Sequence, residues 1–250
     1  EGDYLWCPTP GGRLKGLNQA MGSSCNVAFA TLGLMVGPSR LLDELHLYGF
    51  DSPERQGLQL GRILDQPQMK KETADLAIGL EHIACTPLHA ALIAAVYANS
   101  GYRVEPTLFS ARDGLLGISR RVSTVPERVR ILDPEWLQPL RRSMEAVLDW
   151  GGTAHGIVPD GFPVAMKTGT AATPGRGYHT NYIGYGPKEN PEVAFCIRIT
   201  RIRSSRIAGQ ASRGATGRLL RYLAVNRELL DLQSDQENLQ WTAAFEKLDD

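Results

Sequence analysis

The chain has 250 residues, 42% of them hydrophobic, enough for one sizeable core or for a domain with a smaller lobe. Acidic and basic residues balance at 27 each, so charge points to no polyanionic partner, nucleic acid included. The sequence holds no run of about 18 apolar residues to span a membrane, and its opening residues, EGDYLWCPTP, lack the basic-then-apolar order of a secretory leader.

Residues 1–16 are rich in Gly and Pro and read as loop. Residues 17–36 carry helical periodicity interrupted by GSSCN at 22–26, which marks a turn between two helices. SRLLDELHLYGF then reads as a short amphipathic helix ending near Gly49. CTPLHAALIAAVYANSG predicts a buried helix, with Thr86 as N-cap, Pro87 in the first position and Gly101 at the C-terminal cap. A further helix is expected from Asp133–Pro134 to the Gly151–Gly152 pair, with Pro139 as a kink in its first turns.

Beyond Gly151 the period changes. FPVAMKTGTA, TNYIGYG and EVAFCIRIT are short β-rich runs separated by TPGRG and PKENP, so an antiparallel three-strand meander is expected, closed by a helix over 211–225. Helices, then strands, then a helix indicate a layered α+β unit, an antiparallel sheet packed with helices beside an all-helical lobe. We place the lobe at about 14–150, the meander and closing helix at about 160–225, and an acidic tail at 226–250.

Two polar clusters interrupt this apolar patterning. On a strand, Lys167 and Gly169 of KTGT share one face while Thr168 and Thr170 share the other. A glycine inside a strand suits close approach of a ligand, and a lysine with flanking hydroxyls suits a carboxylate on an extended peptide. The plainer alternative is a surface lysine before a Thr-Gly-Thr turn. In SSCN, Ser24 and Asn26 stand two residues apart in a tight loop, able to relay a proton and to hold a carbonyl. Their plainer alternative is capping a helix that begins near Val27.

Taken in order, Ser-x-Asn, IACTPLHAALIAAVYANSG, GGTAHGIVPDGFPVAMKTGTA and YIGYGPKENPEVAF resemble the penicillin-binding protein transpeptidases over roughly residues 14–225, in their monofunctional class B branch. The resemblance implies acyl transfer from a D-Ala–D-Ala stem peptide through a serine acyl-enzyme to the amine of a neighbouring stem, and binding of β-lactams, without a cofactor. It implies that Ser24 supplies the relay hydroxyl and Asn26 holds the substrate amide. Lys167 supplies positive potential and a proton partner for Ser24. Thr168 and Thr170 bind the terminal carboxylate, the Thr170 N–H is one oxyanion donor, and Gly169 keeps the strand edge clear. It further implies cell-wall synthesis on the extracytoplasmic face of a bacterial membrane, in the periplasm, with a membrane glycosyltransferase as partner.

The sequence departs from the family in one respect that matters. No serine is followed three residues later by lysine: Ser52 leads to Arg55, Ser100 to Arg103 and Ser204 to Ile207. The family places its Ser-x-x-Lys nucleophile several tens of residues before Ser-x-Asn, and 23 residues precede Ser24 here. We therefore expect the nucleophile and a membrane anchor to lie in a segment N-terminal to this sequence, and this chain alone to form no acyl-enzyme. A D,D-carboxypeptidase or β-lactam sensor of the same fold, and a nucleophile-less scaffold in wall synthesis, are the alternatives. Met166 stands where the family usually has glycine, an expected change of packing behind the strand.

The remaining features read plainly. Cys7, Cys25, Cys85 and Cys196 show no metal spacing and read as small half-buried side chains, with Cys7–Cys25 the pair to bridge in an oxidising compartment. The five histidines share no metal-ligand spacing, and His179 reads as a loop residue bordering the cleft. Arg201, Arg203 and Arg206 read as a solvated strand end, and Trp136 and Trp150 as core.

Overall fold

Alternating burial along three strands organises the structure, a computed structural model that describes residues 14–227 except 55, 108–110, 114–118, 122–127, 159 and 174. β7 (Ala165–Thr173), β8 (Gly177–Gly186) and β9 (Val193–Ile202) form an antiparallel sheet in the order β7-β8-β9, so β7 is an edge strand. The β7–β8 register runs unbroken from Ala165↔Tyr185 to Thr173↔Gly177. α7 (Ser205–Val225) covers one face; it begins six residues earlier than the sequence pattern suggested, and Arg206 lies on it. Its buried stripe, Ala208, Ser212, Thr216, Leu220 and Leu223, repeats every three or four residues. Small residues in that stripe let the helix lie close to the sheet, where the Thr180 and Ser212 hydroxyls meet. Val164, Met166, Tyr182, Phe195 and Leu220 form the core there, each side chain worth about 1.5–3 kcal/mol on full burial.

The opposite face carries α5 (Pro87–Ala98). Thr86 caps it, its Oγ1 accepting from the His89 N–H at 3.2 Å, and Pro87 takes the first position. At its other end Ser100 (φ 51) and Gly101 (φ 88) both take positive φ, and the Gly101 N–H returns to the Val96 carbonyl. α6 (Pro134–Glu145) runs through Pro139 and stops earlier than expected; a series of turns carries the chain from Ala146 to β7.

α1 (Leu17–Gly22), α2 (Asn26–Val36) and α3 (Pro38–Leu47) form as the patterning predicts, with the turn at 23–25. The helix α4 (Lys70–Ala77) and three two-stranded ribbons add to that picture: β1 (Arg62–Ile63) with β2 (Ile83–Ala84), β3 (Tyr102–Val104) with β6 (Arg128–Arg130), and β4 (Ala111–Asp113) with β5 (Ser119–Arg121). Met166, fully buried, is accommodated because its sheet neighbour is Gly184: a Cβ there would stand 2.7 Å from the Met166 Cβ and 2.5 Å from the Ala165 oxygen. Cys25 is disulfide-bonded, Cys85 and Cys196 are free thiols, and Cys7 lies outside the described residues, as do 1–13 and the tail from 228.

Candidate active site

The turn between α1 and α2 places Ser24. The Ser24 N–H donates to the Met21 carbonyl at 3.1 Å and the Cys25 N–H to that of Ala20 at 2.9 Å, a double closure that puts Ser24 in the left-handed region at φ 53. That region costs a side-chain-bearing residue energy, which a glycine would avoid. The capping alternative fails: Cys25 is the N-cap residue of α2, and no side chain caps the helix. Ser24 Oγ instead accepts a hydrogen bond from Lys167 Nζ at 2.6 Å, across 143 residues of sequence.

Lys167 reaches Ser24 because it points to the α5 face of the edge strand, together with its register partner Ile183. An apolar cavity of ≈ 220 Å³, walled by Met21, Ile93, Ala94, Tyr97, Leu140 and Met144, backs the lysine. Burial there lowers its ammonium pKa from 10.5 to about 8. At pH 7 about one-tenth of the side chain is then the neutral amine, some 300-fold more than for an ordinary lysine. Nζ also donates to the Thr168 carbonyl at 2.6 Å, which fixes its direction.

Thr168 lies on the other face, half-buried, and its hydroxyl meets that of Thr153 at 2.5 Å. Thr170 is exposed on the open edge. Gly169 relieves no clash, since a Cβ there would meet only Asn181 Nδ2 at 3.9 Å; its effect is to leave the strand edge bare. Asn26 opens α2, half-buried, and its amide makes no hydrogen bond among the described residues. Ser24, Lys167 and Thr168 are thus brought together directly, Gly169 and Thr170 continue the same edge, and Asn26 stands one residue beyond the turn.

Sequence reasoning missed Thr153. Its N–H donates to the Gly22 carbonyl at 3.1 Å while its hydroxyl holds Thr168, so one residue joins the Ser24 turn to the Lys167 strand. The only signal was its place in GGTA just before the strand. Arg198 makes a similar join on the α5 face of the sheet, donating to Asn181 Oδ1 and to the Cys85 carbonyl, both at 2.5 Å. His179 sits in β8, not in a loop, and is hydrogen-bonded to Thr173 at 2.8 Å. Trp150 is 90% exposed rather than core because α6 ends before it, and Trp136, in the first turn of α6, is 58% exposed. Arg201, Arg203 and Arg206 are exposed. Among the described residues no group of His, Cys, Asp or Glu is arranged to hold a metal, and no helix is long and apolar enough to cross a membrane.

The same arrangement of turn, lysine and edge strand leads to known proteins. A family model described as the penicillin binding protein transpeptidase domain matches residues 8–218. The peptidoglycan D,D-transpeptidase PbpA of Mycolicibacterium smegmatis is 32% identical over 195 residues, covering 73% of this chain and 38% of that protein. MrdA of Acinetobacter baumannii, also a peptidoglycan D,D-transpeptidase, is 27% identical over 211 residues, 72% of this chain and 31% of its own length. Among solved structures, penicillin-binding protein A of Mycobacterium tuberculosis as its imipenem acyl-enzyme superposes with a TM-score of 0.70 at 25% identity, over 86% of this chain and 53% of that one. The chain spans less than half the length of the curated relatives it matches.

Proposed function

Because the chain belongs to the penicillin-binding protein transpeptidase family, we propose that it forms the lysine and strand-edge half of a serine acyl-transfer site that cross-links peptidoglycan stem peptides. The observation carrying this reading is the 2.6 Å contact between Lys167 Nζ and Ser24 Oγ, made by a lysine whose pKa is lowered to about 8. A partly neutral amine beside a hydroxyl can take a proton relayed through that hydroxyl from a nucleophile. The nucleophile is the serine of a Ser-x-x-Lys segment N-terminal to this sequence. Its oxygen attacks the penultimate D-Ala carbonyl, the C–O ester bond forms, the peptide C–N bond breaks, and the terminal D-Ala leaves as its amine takes the relayed proton. An amine of a second stem then attacks the ester carbon, the C–N bond forms as the C–O ester bond breaks, and the amine's proton passes to the serine oxygen.

Thr168 and Thr170 bind the carboxylate of the donor, the Thr170 N–H stabilises the oxyanion, Gly169 admits the peptide to the edge, and Asn26 holds its amide. Removing one such oxyanion donor typically costs about 10²–10³ in rate. The acyl-enzyme structure of the tuberculosis relative supports a β-lactam as a second acylating ligand. The protein works at the outer face of the bacterial cell membrane, beside a glycosyltransferase that supplies glycan strands.

The test is labelling by a fluorescent penicillin of the protein extended N-terminally to include Ser-x-x-Lys. Labelling is expected to rise with pH with a midpoint near pH 8, where half of Lys167 is neutral, and to be lost on Lys167→Ala. Labelling of the 250-residue chain by itself would overturn the assignment of the nucleophile to another segment.

A further inference from the structure

The neutral charge of the chain is made of two opposed parts. Residues 1–227 hold 26 lysines and arginines against 20 acidic residues, whereas residues 228–250 hold Lys247 alone against seven acidic residues. An excess of six on the first is thus matched by a deficit of six on the second. Much of the positive excess is gathered on one surface. α7 carries Arg206, Arg213, Arg218 and Arg221, with neither a lysine nor an acidic residue along its 21 residues. Arg201 and Arg203, both exposed, lead into it.

At 3.6 residues per turn the four helix arginines fall within about 140° of one another, opposite the buried stripe that begins at Ala208. All four are exposed, and none makes an ion pair among the described residues. Arg213 donates only to the His155 carbonyl, and Glu192 is taken by Arg227 at 2.9 Å. Arg218 and Arg221, three residues apart, are surface neighbours of like charge, an arrangement that costs stability unless an anion lies between them. Ile207, Tyr222 and Val225 stand exposed on the same side of the helix. Such a face suits an acidic segment with apolar residues among its carboxylates, which guanidinium groups pair in a forked geometry.

We propose that residues 228–250 of the same chain dock on this arginine face of α7. The segment follows the helix directly, after Asn226 and Arg227, so its local concentration at the face is high. Its 23 residues can reach about 75–80 Å, against about 31 Å for the whole of α7, so the chain has ample length to turn back as far as Arg206. Its sequence supplies both partners that the face suits: carboxylates from Glu228 to Asp250, and Leu229, Leu232, Trp241 and Phe245 among them. The docking is held by charge pairing and apolar contact, with no covalent step, and is independent of the acyl-transfer chemistry at β7. While seated, the segment closes the arginine face to outside polyanions.

The experiment digests the 250-residue chain with glutamyl endopeptidase and reads, by mass spectrometry, the rate of cleavage after Glu237 relative to that after Glu145. Glu145 ends α6, so the ratio corrects both for the protease and for general opening of the folded body. In low salt the ratio is expected to be about fivefold smaller in the parent than in R206Q/R213Q/R218Q/R221Q. The difference is expected to vanish at about 1 M salt, where the Debye length falls to about 3 Å. Replacing the same four arginines by lysine is expected to keep the protection, since the charge is kept, and millimolar tripolyphosphate is expected to remove it. Equal ratios in the parent and the glutamine variant at low salt, or a ratio that tripolyphosphate leaves unchanged, would overturn the docking. Protection that grows with protein concentration would assign the face to the segment of a neighbouring copy and overturn the intramolecular contact.

Discussion

Replacing Lys167 by methionine is expected to stabilise the fold at neutral pH and to destabilise it in alkali. Burial against Met21, Ile93 and Tyr97 lowers the lysine pKa from 10.5 to about 8. At about 1.4 kcal/mol per unit, holding the ammonium in the folded chain costs on the order of 3 kcal/mol wherever both states are protonated, below about pH 8. The folded state gives up its proton first. Between about pH 8 and 10.5 the unfolded chain therefore binds the extra proton, and the stability of the parent rises with pH. Methionine does not titrate but fills similar space, so the difference in unfolding free energy between variant and parent isolates this one group. The variant also loses the hydrogen bonds to Ser24 Oγ and the Thr168 carbonyl, together about 2 kcal/mol. The net expectation is a variant more stable by about 1 kcal/mol at pH 7, crossing the parent between pH 8 and 10.5, and less stable by about 2 kcal/mol above pH 10.5. Urea denaturation followed by circular dichroism across this range measures the swing. A difference constant with pH would refute the argument that burial depresses the lysine.

Three further expectations follow from backbone and side-chain geometry. Ser100→Gly, at the left-handed position after α5, is expected to gain about 1 kcal/mol, a rise of some 2–4 °C in melting temperature by calorimetry. Gly184→Ala is expected to lose about 2–3 kcal/mol in denaturant titration, because its Cβ meets the immobile Ala165 oxygen as well as Met166. A double-mutant cycle of Thr153→Val and Thr168→Val is expected to give a coupling of about 1 kcal/mol in unfolding free energy; a coupling of zero means that the two hydroxyls do not hold the strand to the turn.

Local chemistry made some of this legible in the sequence. α5 was readable because Thr86 and Pro87 both mark its start, and the meander because apolar alternation and turn residues agree at every boundary. α4 was not readable: KKETADLA carries no apolar stripe, and what buries Thr73, Ala74, Asp75 and Leu76 is packing against α2. The ribbons β1 to β6 are two or three residues long, too short to show a period. At the site, KTGT and SSCN were visible as polar clusters, yet choosing between helix cap and relay at Ser24 required a contact from 143 residues away. Thr153 was hidden for a similar reason, since its role comes from the path of a turn and not from a motif. Trp150 misled because a large aromatic at the end of a helical pattern reads as core until the helix is seen to stop at Glu145.

The open edge of β7 has a consequence for the handling of the protein. Nine residues, from Ala165 to Thr173, pair with β8 alone in an unbroken register, with no bulge and no proline to interrupt them. An edge that admits an extended peptide admits any other extended chain, a second copy included, and such edges seed self-association. Concentrated protein should therefore lose monomer through this strand, and a short extended peptide added to pair with it should act as a solubiliser by occupying the growth face.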